Sequence, residues 1–222
     1  MTRPSLLSML FSTLFAWRPG RSAPSVPAPG PAPGPAPGQK PPAADFVGHP
    51  AGARTMIAWG ARVPDGFKRK VIEIAERLGM EPDHLMAIMA FETGRSFDPS
   101  IVNRAGSGAT GLIQFMPATA LDLGTTTAAL ARMSAIDQLD YVETYLAPYR
   151  GRIGDIQSAY MAVLYPRAIG KPSGHVLFRK GSRAYKLNRG LDRNGDGRIT
   201  KQEAAARVVA LLEEGMRPGN IG

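Results

Sequence analysis

The stretch Pro82-Asp83-His84-Leu85-Met86-Ala87-Ile88-Met89-Ala90-Phe91-Glu92-Thr93-Gly94 decides how this chain is read. Proline suits the first turn of a helix, where its missing N–H costs nothing. Leu85, Ile88 and Met89 then recur at helical spacing and define an inward face. Glu92 stands seven residues after Leu85 and three to four after Ile88 and Met89, so the spacing projects a carboxylate from the apolar stripe, where burial is expensive. Thr93-Gly94 follows at once and ends the helix. The helix dipole disfavours negative charge there, and dipole and desolvation both push the pKa of Glu92 up. A carboxylic acid still protonated near neutral pH is what glycoside cleavage needs to protonate a leaving oxygen. A Glu turned outward as an ordinary helix-end residue fits the same position, and spacing alone does not separate the two.

Outward from this helix the apolar spacing stays helical. Phe67, Val71, Ile74, Ala75 and Leu78 form one stripe, ended by Gly79. Ser134 opens another through Ile136, Leu139, Val142, Tyr145 and Leu146, and Ile156, Ala159, Tyr160 and Val163 form a third. Gly106 to Gly124, rich in Gly, Ser and Thr, reads as loop plus irregular structure. No strong period-2 run is present, so the expected fold class is mainly α.

The text around Glu92 is more specific than its spacing. Ala90-Phe91-Glu92-Thr93-Gly94, then Phe97, then Gly108-Ala109-Thr110-Gly111-Leu112-Ile113-Gln114-Phe115-Met116-Pro117-Ala118-Thr119-Ala120 resembles the soluble lytic transglycosylase domain, with its lysozyme-like (goose-type) helical fold. The resemblance runs roughly from Val63 to Tyr165. It implies that Glu92 is the catalytic acid/base and that Thr93 is the small hydroxyl residue beside it. Ile113 and Gln114 would take glycan-groove positions, Ile113 replacing the family's usual Met. Ala159-Tyr160-Met161-Ala162 looks like the family's Ala-Tyr-Asn-Ala motif, with Tyr160 retained on the substrate side and Met161 in the place of Asn, which puts an Asn-to-sugar contact in doubt.

The resemblance also implies a function. The substrate would be the glycan strand of peptidoglycan, cut at the β-1,4 bond between N-acetylmuramic acid and N-acetylglucosamine. A hydrolase on this plan usually needs a second carboxylate. Asp83 and Asp98, the nearest, read as solvent-facing or turn residues. In the family the muramic 6-hydroxyl attacks C1 instead, leaving a 1,6-anhydro end, and no cofactor takes part. The rivals are a lysozyme-type hydrolase on the same fold and, from another class, a non-catalytic peptidoglycan-binding or virion structural protein. His49, His84 and His175 show no ligand spacing.

A second motif lies near the C-terminus. Asp192-Arg193-Asn194-Gly195-Asp196-Gly197-Arg198-Ile199-Thr200-Lys201-Gln202-Glu203 fills the EF-hand loop pattern. Asp192, Asn194, Asp196 and Glu203 supply oxygens at positions 1, 3, 5 and 12, Arg198 offers its carbonyl at 7, and Gly197 makes the sharp turn at 6. A structural Ca2+ ion is expected, of modest affinity because the ligands are three carboxylates and one amide, and without a second EF-hand a regulatory sensor is disfavoured. Ala204, Val208, Leu211 and Leu212 mark the helix that leaves the loop.

The remaining organisation comes from composition. The chain has 222 residues, no Cys and a formal charge of +9. Without Cys, neither disulfides nor Cys–metal sites can form. Residues 1–18 form an apolar segment in which Ser5, Ser8 and Ser12 share one helical face and Leu6, Leu7, Leu10, Phe11 and Leu14 the other. That pattern suits a helix lying on a membrane surface or against a virion or envelope assembly through residues 1–17. A secretory signal or signal anchor competes with it, since Arg3 precedes the run. Residues 19–44, with repeated Pro-Ala-Pro-Gly, read as an extended spacer of ~3.1 Å per residue. Residues 45–177 are then the catalytic domain and 178–222 a basic extension carrying the loop at 192–203. The ends are basic and the centre neutral, which disfavours a nucleic-acid groove and favours anionic envelope surfaces. The expected location is the periplasm or cell envelope facing murein, or a phage virion, because phage endolysins and tail-associated enzymes share this domain.

Overall fold

A computed structural model of the chain describes residues 55–103 and 106–222. The apolar segment 1–18 and the spacer 19–44 lie outside the described residues, as does His49. Over the described part the fold is mainly α, as expected. It comprises α1 (Asp65–Leu78), α2 (Pro82–Glu92), α3 (Pro117–Asp122), α4 (Thr127–Leu130), α5 (Ala135–Leu146), α6 (Ile156–Leu164), α7 (Arg183–Asn188) and α8 (Lys201–Gly215), with two short strands, β1 (Val176–Arg179) and β2 (Arg198–Thr200). Among the described residues no helix is long and apolar enough to cross a membrane.

Helix α1 buries the stripe read from its sequence, Phe67, Val71, Ile74, Ala75 and Leu78, and packs on α5 and α2. Gly79 closes it in the left-handed conformation (φ 67°), donating its N–H to Ala75 and Glu76. That conformation costs a residue with a Cβ and costs glycine little. Helix α2 behaves differently. Every residue from Leu85 to Ala90 is fully buried, so α2 is a central helix surrounded on all sides rather than an amphipathic one.

The wall on one side of α2 is α8, which also packs on α6. The division at 177/178 therefore needs correction. Leu191, Ile199, Ala204, Ala205, Val208 and Leu211 belong to the same core cluster as α1, α2 and α6. The C-terminal basic segment is a layer of this domain, because the apolar face of α8 is what keeps water from α2. The segment before α1 clasps α8 in turn. Trp59, fully buried, donates its indole N–H to the Leu211 carbonyl (2.9 Å) and its backbone N–H to Gly215 (3.1 Å). Ile57 and Gly222 exchange backbone hydrogen bonds of 2.8 and 3.2 Å.

Three smaller readings also change. Ile136, placed on the α5 stripe, is 38% exposed, while Gln138 on that helix is fully buried. In Gly106–Gly124 Thr110 forms two isolated antiparallel bridges, one back to Val102 and one to Phe115, and α3 follows, started by Pro117. Asp83 is buried rather than solvent-facing, and accepts the Ala58 N–H at 2.7 Å. Asp98 does form a turn, its carboxylate accepting from the Ser100 N–H and hydroxyl.

Candidate active site and the C-terminal loop

Glu92 is the last residue of α2 and is 2% exposed. The helix phase thus turns it inward. Both of its carboxylate oxygens are buried without a hydrogen-bond partner. Burial alone pushes its pKa from 4.5 up to about 8, as expected when the charged form must leave water with nothing to pair with. Two tyrosines share its surroundings. Tyr160 on α6 is 3% exposed, and its hydroxyl is pushed up first by burial and then by the proximity of Glu92. Tyr145 on α5 is pushed up by burial, by Tyr149 and by Glu92. Phe91 meets Tyr160 edge-on at 5.6 Å, and Phe115 meets Tyr145 edge-on at 6.1 Å. The Tyr145 hydroxyl donates to the Ala162 carbonyl at 3.1 Å, tying α5 to α6 beside Met161. The acid therefore ends in an aromatic, dry surround.

The chain after Glu92 is held in an uncommon path. Thr93 is buried, and its hydroxyl donates to Met89 (2.7 Å) and accepts the Phe97 N–H (3.0 Å). Its proton is thus committed within the protein, to shaping the turn beneath Glu92. Arg95 (φ 72°) and Phe97 (φ 52°) both adopt left-handed backbone, a conformation costing roughly 1–3 kcal/mol at a non-glycine residue unless its surroundings fix it. They do so here. Arg95 makes a two-pronged pair with Glu214 of α8 at 2.8 and 2.7 Å, and Phe97 packs its ring against Trp59 and Phe67.

Gln114 also has a positive φ (53°) and is 4% exposed. Its side-chain Nε2 donates to the carbonyls of Ile101 (3.2 Å) and Gly111 (3.1 Å). Ile113 is 3% exposed and joins the core. Gln138 organises this loop from behind, through its side-chain bonds to the Leu112 N–H and to the carbonyls of Pro99 and Leu130. Sequence reasoning does not single out Gln138 or Tyr145. The signals it could use are a polar residue beside Leu139 and a hydroxyl on an apolar stripe, which must find a partner when buried.

The loop at 192–203 folds as a closed unit. Asp192 accepts the N–H groups of Gly195 (2.8 Å) and Gly197 (3.0 Å) and the Tyr185 hydroxyl (2.6 Å). Asn194 accepts from Asp196 and Asp196 from Arg198. Glu203 forms a capping box with Thr200 at the start of α8, and its other oxygen reaches back to the Arg193 N–H at 3.3 Å. Ile199, fully buried, pairs with Phe178 across β2 and β1. Among the described residues no three His, Cys, Asp or Glu side chains are gathered as a metal-holding group.

These features define a mainly helical domain with a buried acid, both oxygens unpartnered, at the end of its central helix. Residues 69–162 match the family model of the transglycosylase SLT domain, which supports an SLT domain over that part of the chain and, with it, peptidoglycan as the substrate class. The matched span includes Glu92, Thr93, Ile113, Gln114 and Tyr160, and stops before the loop. No curated protein and no solved structure matches the chain.

Proposed function

We propose that this protein is a peptidoglycan lytic transglycosylase that cleaves the bond from N-acetylmuramic acid to N-acetylglucosamine with Glu92 as its acid and then its base. The observation that carries the reading is Glu92 itself, buried at a helix end with both oxygens unpartnered and its pKa raised to about 8. At neutral pH it holds a proton and has no partner inside the protein to give it to. It donates that proton to the glycosidic oxygen as the C1–O bond breaks. The muramic 6-hydroxyl then bonds to C1, and its proton returns to Glu92. No water is consumed, and the product is one water lighter than a hydrolysed strand.

The other acids support intramolecular attack. Asp83 lies nine residues from Glu92 on the same helix, roughly 14 Å along its axis, beyond the ~6.5–9.5 Å that separates the paired carboxylates of inverting enzymes. Asp98 is exposed and turned to Ser100. Tyr160, Ile113 and the Gly111–Gln114 loop form the groove wall in this reading, with Thr93 and the Gln114 amide nitrogen setting its shape. Mass analysis of digested murein is the test: 1,6-anhydromuramic ends support the lyase, and reducing ends alone would move the protein to the hydrolases.

The loop at 192–203 is proposed to take a structural calcium ion. The donors are all oxygens, the set calcium prefers, and Glu203 already folds back over the start of the loop. Asp192, Asn194, Asp196, Glu203 and the Arg198 carbonyl would hold the ion, which would supply charge neutralisation at the start of α8 and no chemistry. The enzyme would work where murein and calcium are both present, in the cell envelope or on a phage virion, with residues 1–17 as its attachment to a membrane or assembly.

A further inference from the structure

The strands β1 and β2 place Arg179 directly opposite Arg198. Like charges across an antiparallel pair repel, and both side chains are exposed. They are part of a larger array. Arg183, Lys186 and Arg189 follow at three-residue spacing along α7 and the turn after it, which puts neighbours of one sign on one side of the helix. Lys180 lies over Gly197 of the loop, and Arg193 stands within that loop. All of these side chains are exposed. The ion pairs of the described residues engage Lys68, Lys70, Arg77 and Arg95, and none of the cations of this face. Three carboxylates of the loop, Asp192, Asp196 and Glu203, stand among seven cations, Arg179, Lys180, Arg183, Lys186, Arg189, Arg193 and Arg198, so the face keeps a net positive charge.

Such a concentration of unpaired charge raises the local density of anions. The large exposed apolar side chains, Met56, Val102, Leu121, Ile136 and Met216, all lie outside the stretch from 176 to 200. Recognition here is thus by charge and not by insertion into a lipid surface. The face also joins the proposed site. Phe178 of β1 packs edge-on against Tyr165 at 5.5 Å, and Tyr165 caps α6, the helix that carries Tyr160. Lys201 strengthens the joint, donating to Ser158 of α6 at 3.0 Å and to the Lys171 carbonyl at 2.9 Å. These contacts fix the face rigidly to the helix that carries Tyr160.

We infer that the basic face formed by β1, α7 and the 192–203 loop binds the stem-peptide carboxylates of the murein strand being cut. The inference rests on the murein reading of the Glu92 site, but its test is separable from it. Binding of the full chain bearing Glu92→Gln is measured by co-sedimentation with intact sacculi, with sacculi whose carboxyls have been amidated, and with vesicles containing anionic phospholipid. Three changes, Arg179→Gln, Arg183→Gln and Lys186→Gln, should weaken sacculus binding about tenfold, the scale of three exposed ion pairs. Amidation should weaken the parent to a similar degree, and raised salt should do the same. The corresponding Arg179→Lys and Arg183→Lys changes should retain binding. With Glu92 restored, the triple variant should be at least as stable as the parent, since the Arg179–Arg198 repulsion is relieved, and should cut small soluble murein fragments at the parent rate. Sacculus binding unchanged by the triple variant or by amidation overturns the inference, and so does charge-dependent binding confined to the vesicles. Failure of both proteins to cut soluble fragments sinks the enzymatic reading instead.

Discussion

Gln138 holds Leu112 from across the molecule: its side-chain oxygen accepts the Leu112 N–H at 2.6 Å while its Nε2 donates to Pro99 and Leu130, each at 3.0 Å. One fully buried side chain on α5 thereby bonds three backbone groups, two in separate loops and one at the end of α4. Gly111 lies so close that a Cβ there would fall 2.3 Å from the Gln138 oxygen. Gln138→Leu takes their partner from the Leu112 N–H and the Pro99 carbonyl, at a cost of about 1–3 kcal/mol for each one that finds no water, while the Leu130 carbonyl keeps the Met133 N–H. The expected result is a melting temperature lower by several degrees and a loss of murein cleavage larger than that destabilisation explains, because Gly111–Gln114 lose their anchor. Equal activity in folded wild type and variant would show that this loop does not shape the groove.

Gly215 tests whether α8 is integral to the domain. A Cβ on it would sit 2.4 Å from the indole of Trp59, which is fully buried and tethered to Leu211. In an open helix, Gly→Ala would stabilise by up to ~1 kcal/mol. Here overpacking should reverse the sign, costing about 1–3 kcal/mol. The sign of the change in melting temperature for Gly215→Ala therefore reports the clasp between the residue 55–63 segment and α8.

The helices are legible in the sequence because their apolar residues recur at the helical period, and the α1 stripe matches residue for residue together with its Gly79 cap. Glu92 is legible in position and motif. Its lack of any partner is not, since that depends on what other helices place around it. The depth of α8 escapes the sequence for a related reason: Ala204, Val208 and Leu211 show that a helix exists, but not that α2, fully buried from Leu85 to Ala90, requires it as a wall. Asp83 reads wrongly as solvent-facing because its partner, the Ala58 amide, is twenty-five residues away in sequence. Tyr145 and Gln138 act through non-local contacts that no spacing rule carries.

Calcium should raise the melting temperature of the full chain, by the equivalent of ~2.7 kcal/mol at one hundred times Kd. Asp192→Ala loses the bonds to Gly195, Gly197 and Tyr185 as well, so the informative quantity is the response to calcium against chelator, not the melting temperature itself. Wild type should respond and Asp192→Ala should not. A wild type that melts at the same temperature in calcium and chelator would remove the ion from this loop.

Glu92 links chemistry and stability through one proton. Its pKa is about 8 in the folded protein against 4.5 for a free side chain, so the folded state binds a proton that the unfolded state has released over that range. Stability contributed by this raised acid is present below about 4.5 and is lost as pH rises through about 8. Glu92→Gln, which does not ionise, should escape that loss. Its stability relative to wild type should improve from pH 5 to pH 8 by on the order of 3 kcal/mol, and the unpaired amide, whose cost does not depend on pH, leaves that change untouched. Activity should run the other way. Glu92→Gln cannot donate a proton, and cleavage should fall ~10²–10⁴-fold or more. In wild type, kcat/KM should decline as pH rises through about 8, where the acid loses its proton. A variant that is more stable at alkaline pH yet inactive identifies Glu92 as a residue held at a cost to the fold for its proton. A variant that cuts murein as fast as wild type would remove Glu92 from the chemistry and bring the non-catalytic wall-binding reading forward.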